Sequence, residues 1–118
     1  MLFRSMIYPR KESKVYGTKA DVEGVYRAGE TAVVIDDLIT TGGSKLEGIH
    51  KLSAVEINVK DVVVLLDRES GGRGELQEHG IRLHAVFDLS TLLAIYEARE
   101  LVPPDKIDRV RTFLKEHS

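Results

Sequence analysis

The sequence predicts an α/β fold, a largely parallel sheet flanked by helices, and three observations carry that prediction. Two apolar β-branched runs, residues 31–35 (TAVVI) and 62–66 (VVVLL), have the composition of strands. Between them, residues 44–53 place Leu46, Ile49 and Leu52 at helical spacing. A third strand, residues 81–86 (IRLHAV), alternates in character and comes after a short helix around 75–78 that Gly80 stops. Strands that alternate with helices form βαβ units, whose strands pair in parallel through right-handed crossovers.

Taken in chain order, residues 6–8 read as the tail of a short strand ended by Pro9. Residues 10–19 (RKESKVYGTK) are charged and broken by Gly17, the composition of an exposed loop. Residues 22–26 alternate weakly, as an edge strand does, and 27–30 (RAGE) form a turn into the run 31–35. That run is continuous and β-branched, so it is expected to be buried on both faces. The polar stretch DDLITTGG is expected to be a loop, as is 67–74 (DRESGGRG) after the second strand. Residues 92–99 read as a helix capped by Asp88 or Ser90. The last helix opens near Pro104, a favoured first-turn residue, with Ile107, Val110, Phe113 and Leu114 as its apolar stripe.

The 118 residues amount to one domain at most, and a hydrophobic content of 42% is enough for a core. Lys and Arg number 17 against 19 Asp and Glu, a net charge of −2, which removes any electrostatic case for nucleic acid or a membrane surface as partner. The absence of cysteine excludes disulfides and thiolate metal sites and fits a cytoplasmic protein. No apolar run approaches the roughly 18 residues of a membrane span, and the opening MLFRSMIYPRK has no signal-peptide pattern. His50, His79, His84 and His117 lack metal-ligand spacing, so no protein-ligated metal is expected.

The chemistry is concentrated in residues 33–44, VVIDDLITTGGS. A strand ends in Asp36 and Asp37, passes through Leu38 and Ile39, and meets a loop of hydroxyls and glycines, Thr40, Thr41, Gly42, Gly43 and Ser44, that opens a helix. Ligands of open parallel sheets bind at the carboxyl ends of strands, which is where this loop falls. Free N–H groups and the helix dipole both favour phosphate at such a helix start. Two carboxylates would repel a phosphate, but the conflict disappears for a ligand with a phosphate at one end and a diol in the middle. Carboxylates accept well from vicinal hydroxyls, so a ribose 5-phosphate is implied. The blander reading is an ordinary strand–loop–helix junction, with the aspartates as turn formers and Ser44 as a cap. No GxxxxGK[ST] string is present, which argues against a Walker-type ATPase.

The string resembles the phosphoribosyl-diphosphate signature of type I phosphoribosyltransferases. The resemblance implies their Rossmann-like core, with Asp36 and Asp37 on the ribose hydroxyls and the loop 40–44 on the 5-phosphate. Upstream, R-K-E-x-K-x-Y-G (10–17) is by itself a solvated cationic loop, but in this order it resembles the flexible catalytic loop of orotate phosphoribosyltransferases. Arg10, Lys11 and Lys14 match basic positions of that loop, and Tyr16 a position held by His or Tyr. In the family the loop closes over the active site, often that of the partner in a homodimer, and its lysines neutralise the departing diphosphate. Lys14 joins Asp36 and Asp37 as a catalytic candidate on that basis. Arg68 comes just after the strand in VVVLLDRESGG. Alone it reads as a surface partner for Asp67 or Glu69, whereas the resemblance makes it, with Thr40, an orotate contact whose guanidinium fork suits a carboxylate. The run 79–93 resembles the same family, including the orotate-transferring half of bifunctional uridine-monophosphate synthases.

Orotate and 5-phosphoribosyl 1-diphosphate are thus the implied substrates, with Mg²⁺ carried on the diphosphate rather than by a protein cage. Members of the family have a substantial region before the loop at 10–19, so residues 1–118 are expected to be a single partial, N-terminally truncated domain. Such a chain is expected to leave an apolar sheet face or edge exposed and to need self-association or a partner. A second reading is a non-catalytic phosphoribosyl-diphosphate-binding module or an inactive fragment. Lys11, Lys14 and Arg68 favour chemistry over sensing.

Overall fold

The computed structural model describes residues 5–10 and 22–117. Lys11, Lys14 and Tyr16 lie outside the described residues. The elements run β1 (Tyr8–Pro9), β2 (Val22–Glu23), β3 (Thr31–Ile39), α1 (Gly43–Ala54), β4 (Asn58–Asp67), α2 (Gly72–Glu78), β5 (Arg82–Asp88), α3 (Leu89–Ala98) and α4 (Pro104–Glu116).

β3, β4 and β5 form a three-stranded sheet in that order, all parallel, while β1 and β2 pair antiparallel apart from it. The expected parallel sheet flanked by helices is therefore present. β3 runs four residues further than the apolar string 31–35, because its pairing with β4 continues through Asp36↔Val64 and Leu38↔Leu66 to Ile39↔Asp67. The polar DDLI stretch is consequently strand rather than loop. The aspartates therefore sit on extended strand backbone, with Asp36 in register with Val64 of β4.

The main core lies on one face of this sheet. Val62, Val64 and Leu83 are buried there against Ile49 of α1 and Leu76 of α2, with Ile39 and Ile81 closing the cluster. Burying one such side chain stabilises the fold by roughly 1.5–3 kcal/mol. A second cluster, Val22, Leu52 and Ile57, ties β2 to the far end of α1. Among the described residues no element covers the opposite sheet face, which corrects the expectation that residues 31–35 are buried on both sides. Val33 is 53% exposed, Ile35 79%, Leu65 56% and Val86 62%, and the strand register sets all four on that face. A continuous apolar run reports a strand but not how many layers cover it.

Helix ends obey local chemistry. Asp88, one of the two expected caps, accepts from the Thr91 N–H at 2.7 Å and opens α3 at Leu89. Gly80, with φ 74°, ends α2 in a turn closed by the Ile81 N–H on the Leu76 carbonyl at 2.9 Å. α4 starts at Pro104 as expected, but only Ile107 of its stripe is buried, and Val110 and Phe113 are exposed.

Candidate active site at the carboxyl ends of β3 and β4

β3 and β4 end side by side, and the loops that leave them are stitched together. The Arg68 N–H donates to the Ile39 carbonyl at 3.0 Å, and the Gly72 N–H to the Thr40 carbonyl at 3.1 Å. A third link crosses from α2, where the Glu75 carboxylate accepts from the Gly42 N–H at 3.0 Å. The loop 40–44 and the loop 68–71 thus form one structure.

The first loop opens α1 at Gly43, with Gly42 as its cap residue and no side-chain cap. First-turn N–H groups have no partner inside a helix, so those of Gly43 and Ser44, on two exposed residues, remain available to an anion. The Gly42 N–H is already taken by Glu75. Ser44 lies within the helix and is not its cap.

Asp36 and Asp37 are adjacent on β3 and both exposed, but their surroundings differ. Asp36 Oδ2 meets Lys45 Nζ at 2.7 Å, and Asp36 Oδ1 accepts from the Asp37 N–H at 2.8 Å. The Lys45 hydrogen bond, reinforced by the Asp37 contacts against a smaller desolvation cost, holds the Asp36 carboxyl below its ordinary value. Lys45 itself is buried and also donates to the Leu38 carbonyl at 2.9 Å. Sequence reasoning stopped one residue short of it. A signal was present, since Lys45 shares the buried face of α1 with Ile49 and Leu52 at helical spacing.

Arg68 stands on the neighbouring strand end. Both acidic neighbours that a surface pairing would use are occupied elsewhere. Asp67 is buried, accepts from the Glu69 N–H at 2.8 Å and lies 3.7 Å from Arg73 Nε. Glu69, in the left-handed region at φ 59°, accepts from the Ser90 hydroxyl at 2.6 Å. Among the described residues the Arg68 guanidinium has no hydrogen-bond or ion-pair partner, and it borders a cavity of about 500 Å³ lined also by Glu69, Ser90, Leu93 and Phe113. Asp67 and Glu75 are the other residues that sequence reasoning missed. No sequence signal links Glu75 to Gly42, 33 positions away.

Arg10 is not brought to this site. Its guanidinium pairs with Glu23 of β2, and its carbonyl accepts from Lys51 in the last turn of α1. That end of α1 is about 12 Å along the helix from Gly43. Among the described residues no group of three His, Asp or Glu side chains could hold a metal ion, and no helix is long and apolar enough to cross a membrane.

No family model matches the chain. Uridine 5′-monophosphate synthase of Bos taurus is 42% identical over 113 residues, which cover 96% of this chain and 24% of that protein. The solved structure of Leishmania donovani UMP synthase superposes with a TM-score of 0.83 at 37% identity, over 95% of this chain and 24% of that one. Orotate phosphoribosyltransferase of Mycobacterium tuberculosis, solved in complex with 5-phospho-α-D-ribosyl 1-diphosphate, superposes with a TM-score of 0.55 at 30% identity, over 58% of this chain and 43% of that one. The chain spans about a quarter of the length of the synthases and about half that of the orotate phosphoribosyltransferases it matches.

Proposed function

We propose that this chain, a homologue of the orotate phosphoribosyltransferases with a type I phosphoribosyltransferase core, carries their transfer chemistry. The reaction is transfer of a phosphoribosyl group from 5-phosphoribosyl 1-diphosphate to orotate. The N1 nitrogen of orotate attacks the C1 carbon of the ribose as the C1–oxygen bond breaks, and diphosphate departs with that electron pair. Orotidine 5′-monophosphate and diphosphate are the products, a step of pyrimidine nucleotide biosynthesis in the cytoplasm.

The observation that carries this reading is the meeting, at one sheet edge, of an open helix start, an exposed acidic pair and an unpartnered arginine. In it, the N–H groups and hydroxyls of the loop 40–44 take the 5-phosphate. Asp36 and Asp37 accept from the ribose hydroxyls, with Leu38 and Ile39 setting the backbone that carries them. Arg68, with Thr40, takes the orotate carboxylate through a forked contact. Mg²⁺ enters as part of the substrate, on diphosphate and ribose oxygens. Mg²⁺ typically keeps several waters and binds through substrate phosphates rather than a protein cage.

The remaining cations come from the loop 10–19. Lys14, with Lys11, Arg10 and Tyr16, meets the diphosphate as charge builds on it, which lowers the barrier more than it strengthens ground-state binding. Arg10 must leave Glu23 to take part. Closure of this loop across a homodimer excludes water from the reacting centre. The uncovered sheet face of Val33, Ile35, Leu65 and Val86 supports self-association.

The test is to mix the purified chain with orotate, 5-phosphoribosyl 1-diphosphate and Mg²⁺ and monitor the ultraviolet absorbance of orotate. Consumption that disappears in Lys14→Ala supports the transferase reading. A second reading, a binding module or an inactive part of the enzyme, is favoured by Arg10, which is held by Glu23 and Lys51 away from the site. Binding of 5-phosphoribosyl 1-diphosphate by the folded chain without orotate consumption decides for it.

A further inference from the structure

The strongest unexplained feature is a buried cation beside one of two adjacent carboxylates. Lys45 is 9% exposed, on the third helical residue of α1, and its ammonium reaches back to the end of β3. It bridges Asp36 Oδ2 at 2.7 Å and the Leu38 carbonyl at 2.9 Å. Burying a lysine costs several kcal/mol unless the charge is paired and hydrogen-bonded, and here the charge meets Asp36 and two of the three ammonium protons have acceptors. The bridge also spans the acidic pair, since Asp36 and Leu38 flank Asp37 on the strand. Asp36 Oδ1 is held by the Asp37 N–H, so both oxygens of Asp36 are fixed in place. Each keeps a lone pair that a ligand hydroxyl can use.

We propose that Lys45 is a positioning residue that clamps the Asp36 carboxylate to the end of β3, so that it meets a ribose hydroxyl in one fixed orientation. The inference rests on the phosphoribosyl reading of the site. Fixing an acceptor before the ligand arrives removes the rotamer entropy that binding otherwise costs. Lys45 also offsets the Asp36 charge that an incoming phosphate would otherwise meet. The charged groups that face Asp36 among the described residues are Lys45 from α1 and Asp37 beside it, and its β4 neighbour, Val64, is apolar.

The test compares two probes in the unaltered chain, in Lys45→Met and in Lys45→Arg, by calorimetric titration with ribose 5-phosphate and with inorganic phosphate. Lys45→Met is expected to weaken ribose 5-phosphate about tenfold, the scale of one charge-assisted hydrogen bond. Inorganic phosphate, which uses only the loop, is expected to change much less, and Lys45→Arg restores most of the loss. Equal weakening of both probes, or no weakening of either, overturns the clamp. Carbon-13 titration of the Asp36 carboxyl in the unaltered chain gives an independent readout that does not depend on any variant folding. It is expected below the ordinary carboxylate range, and a titration within that range overturns the clamp. If the unaltered chain binds ribose 5-phosphate no better than inorganic phosphate, the phosphoribosyl reading fails, and the carboxyl titration still decides between a clamped and an unclamped Asp36.

Discussion

The backbone N–H of Gly72 donates to the carbonyl of Thr40 at 3.1 Å, and a methyl group built on Gly72 meets that same oxygen at 2.8 Å. The methyl would meet a backbone oxygen, which cannot step aside as the end of a flexible side chain would. It also touches Ile39, whose side chain lies 2.8 Å from the same position and is fully buried. Gly72→Ala is therefore expected to push the two loops apart, at a cost of about 1–3 kcal/mol of overpacking. Urea unfolding reads the loss in stability, and phosphate titration reads the opening of the loop 40–44. An unchanged midpoint would mean that the loops have room to separate.

Glu75 places a negative charge on the N–H of Gly42, where the proposed phosphate approaches. Glu75→Gln keeps an acceptor for that N–H but removes the charge. Inorganic phosphate is expected to bind about threefold to tenfold more tightly in this variant, the scale of one partly screened charge interaction. The gain should shrink at high salt. Weaker binding instead would show that the charge is needed to order the loop.

Asp61 on β4 is held below its ordinary value, first by the hydrogen bond from His84 at 2.8 Å and then by Arg82. A carboxyl depressed in the folded state contributes stability above its unfolded value, about pH 3.9, and that contribution is lost as pH falls through the folded value. His84→Ala is expected to lower the melting temperature slightly near pH 6. The difference should shrink as pH falls through the folded value and Asp61 takes up its proton. The pair lies on the exposed sheet face, so added salt should also reduce the difference.

The proposed homodimer gives the uncovered sheet face a definite test. Ile35 and Val86 are 79% and 62% exposed on it, and a lysine at either position resists burial against a second apolar face. The unaltered chain is expected to sediment as a dimer, and Ile35→Lys together with Val86→Lys to weaken association at least about tenfold. A dimer that both lysines leave intact would place the interface elsewhere.

Much of this architecture was legible in the sequence, because periodicity is a local property. The helix at Leu46, Ile49 and Leu52 and the strands at 31–35 and 62–66 can be read from spacing alone. So can the position of the loop 40–44 at a strand end. The uncovered sheet face was not legible in TAVVI, since a β-branched run looks the same whether one or two layers pack on it. The extension of β3 through Asp36 and Asp37 was hidden for a different reason. Its backbone bonds are supplied by β4, and no local pattern in DDLI announces that partner. Glu75 and Gly42, brought together only by adjacent strand ends, were beyond any reading by spacing. Lys45 was within reach on the buried helix face, but a lysine is ordinarily assigned to the surface.

The stitching of the loop after β3 to the loop after β4 has a consequence for how the two loops move. The start of α1 and Arg68 are carried on neighbouring strands about 4.8 Å apart, joined by backbone bonds that do not stretch. The edge therefore couples the two loops at their backbones, so that a shift of one is carried to the other.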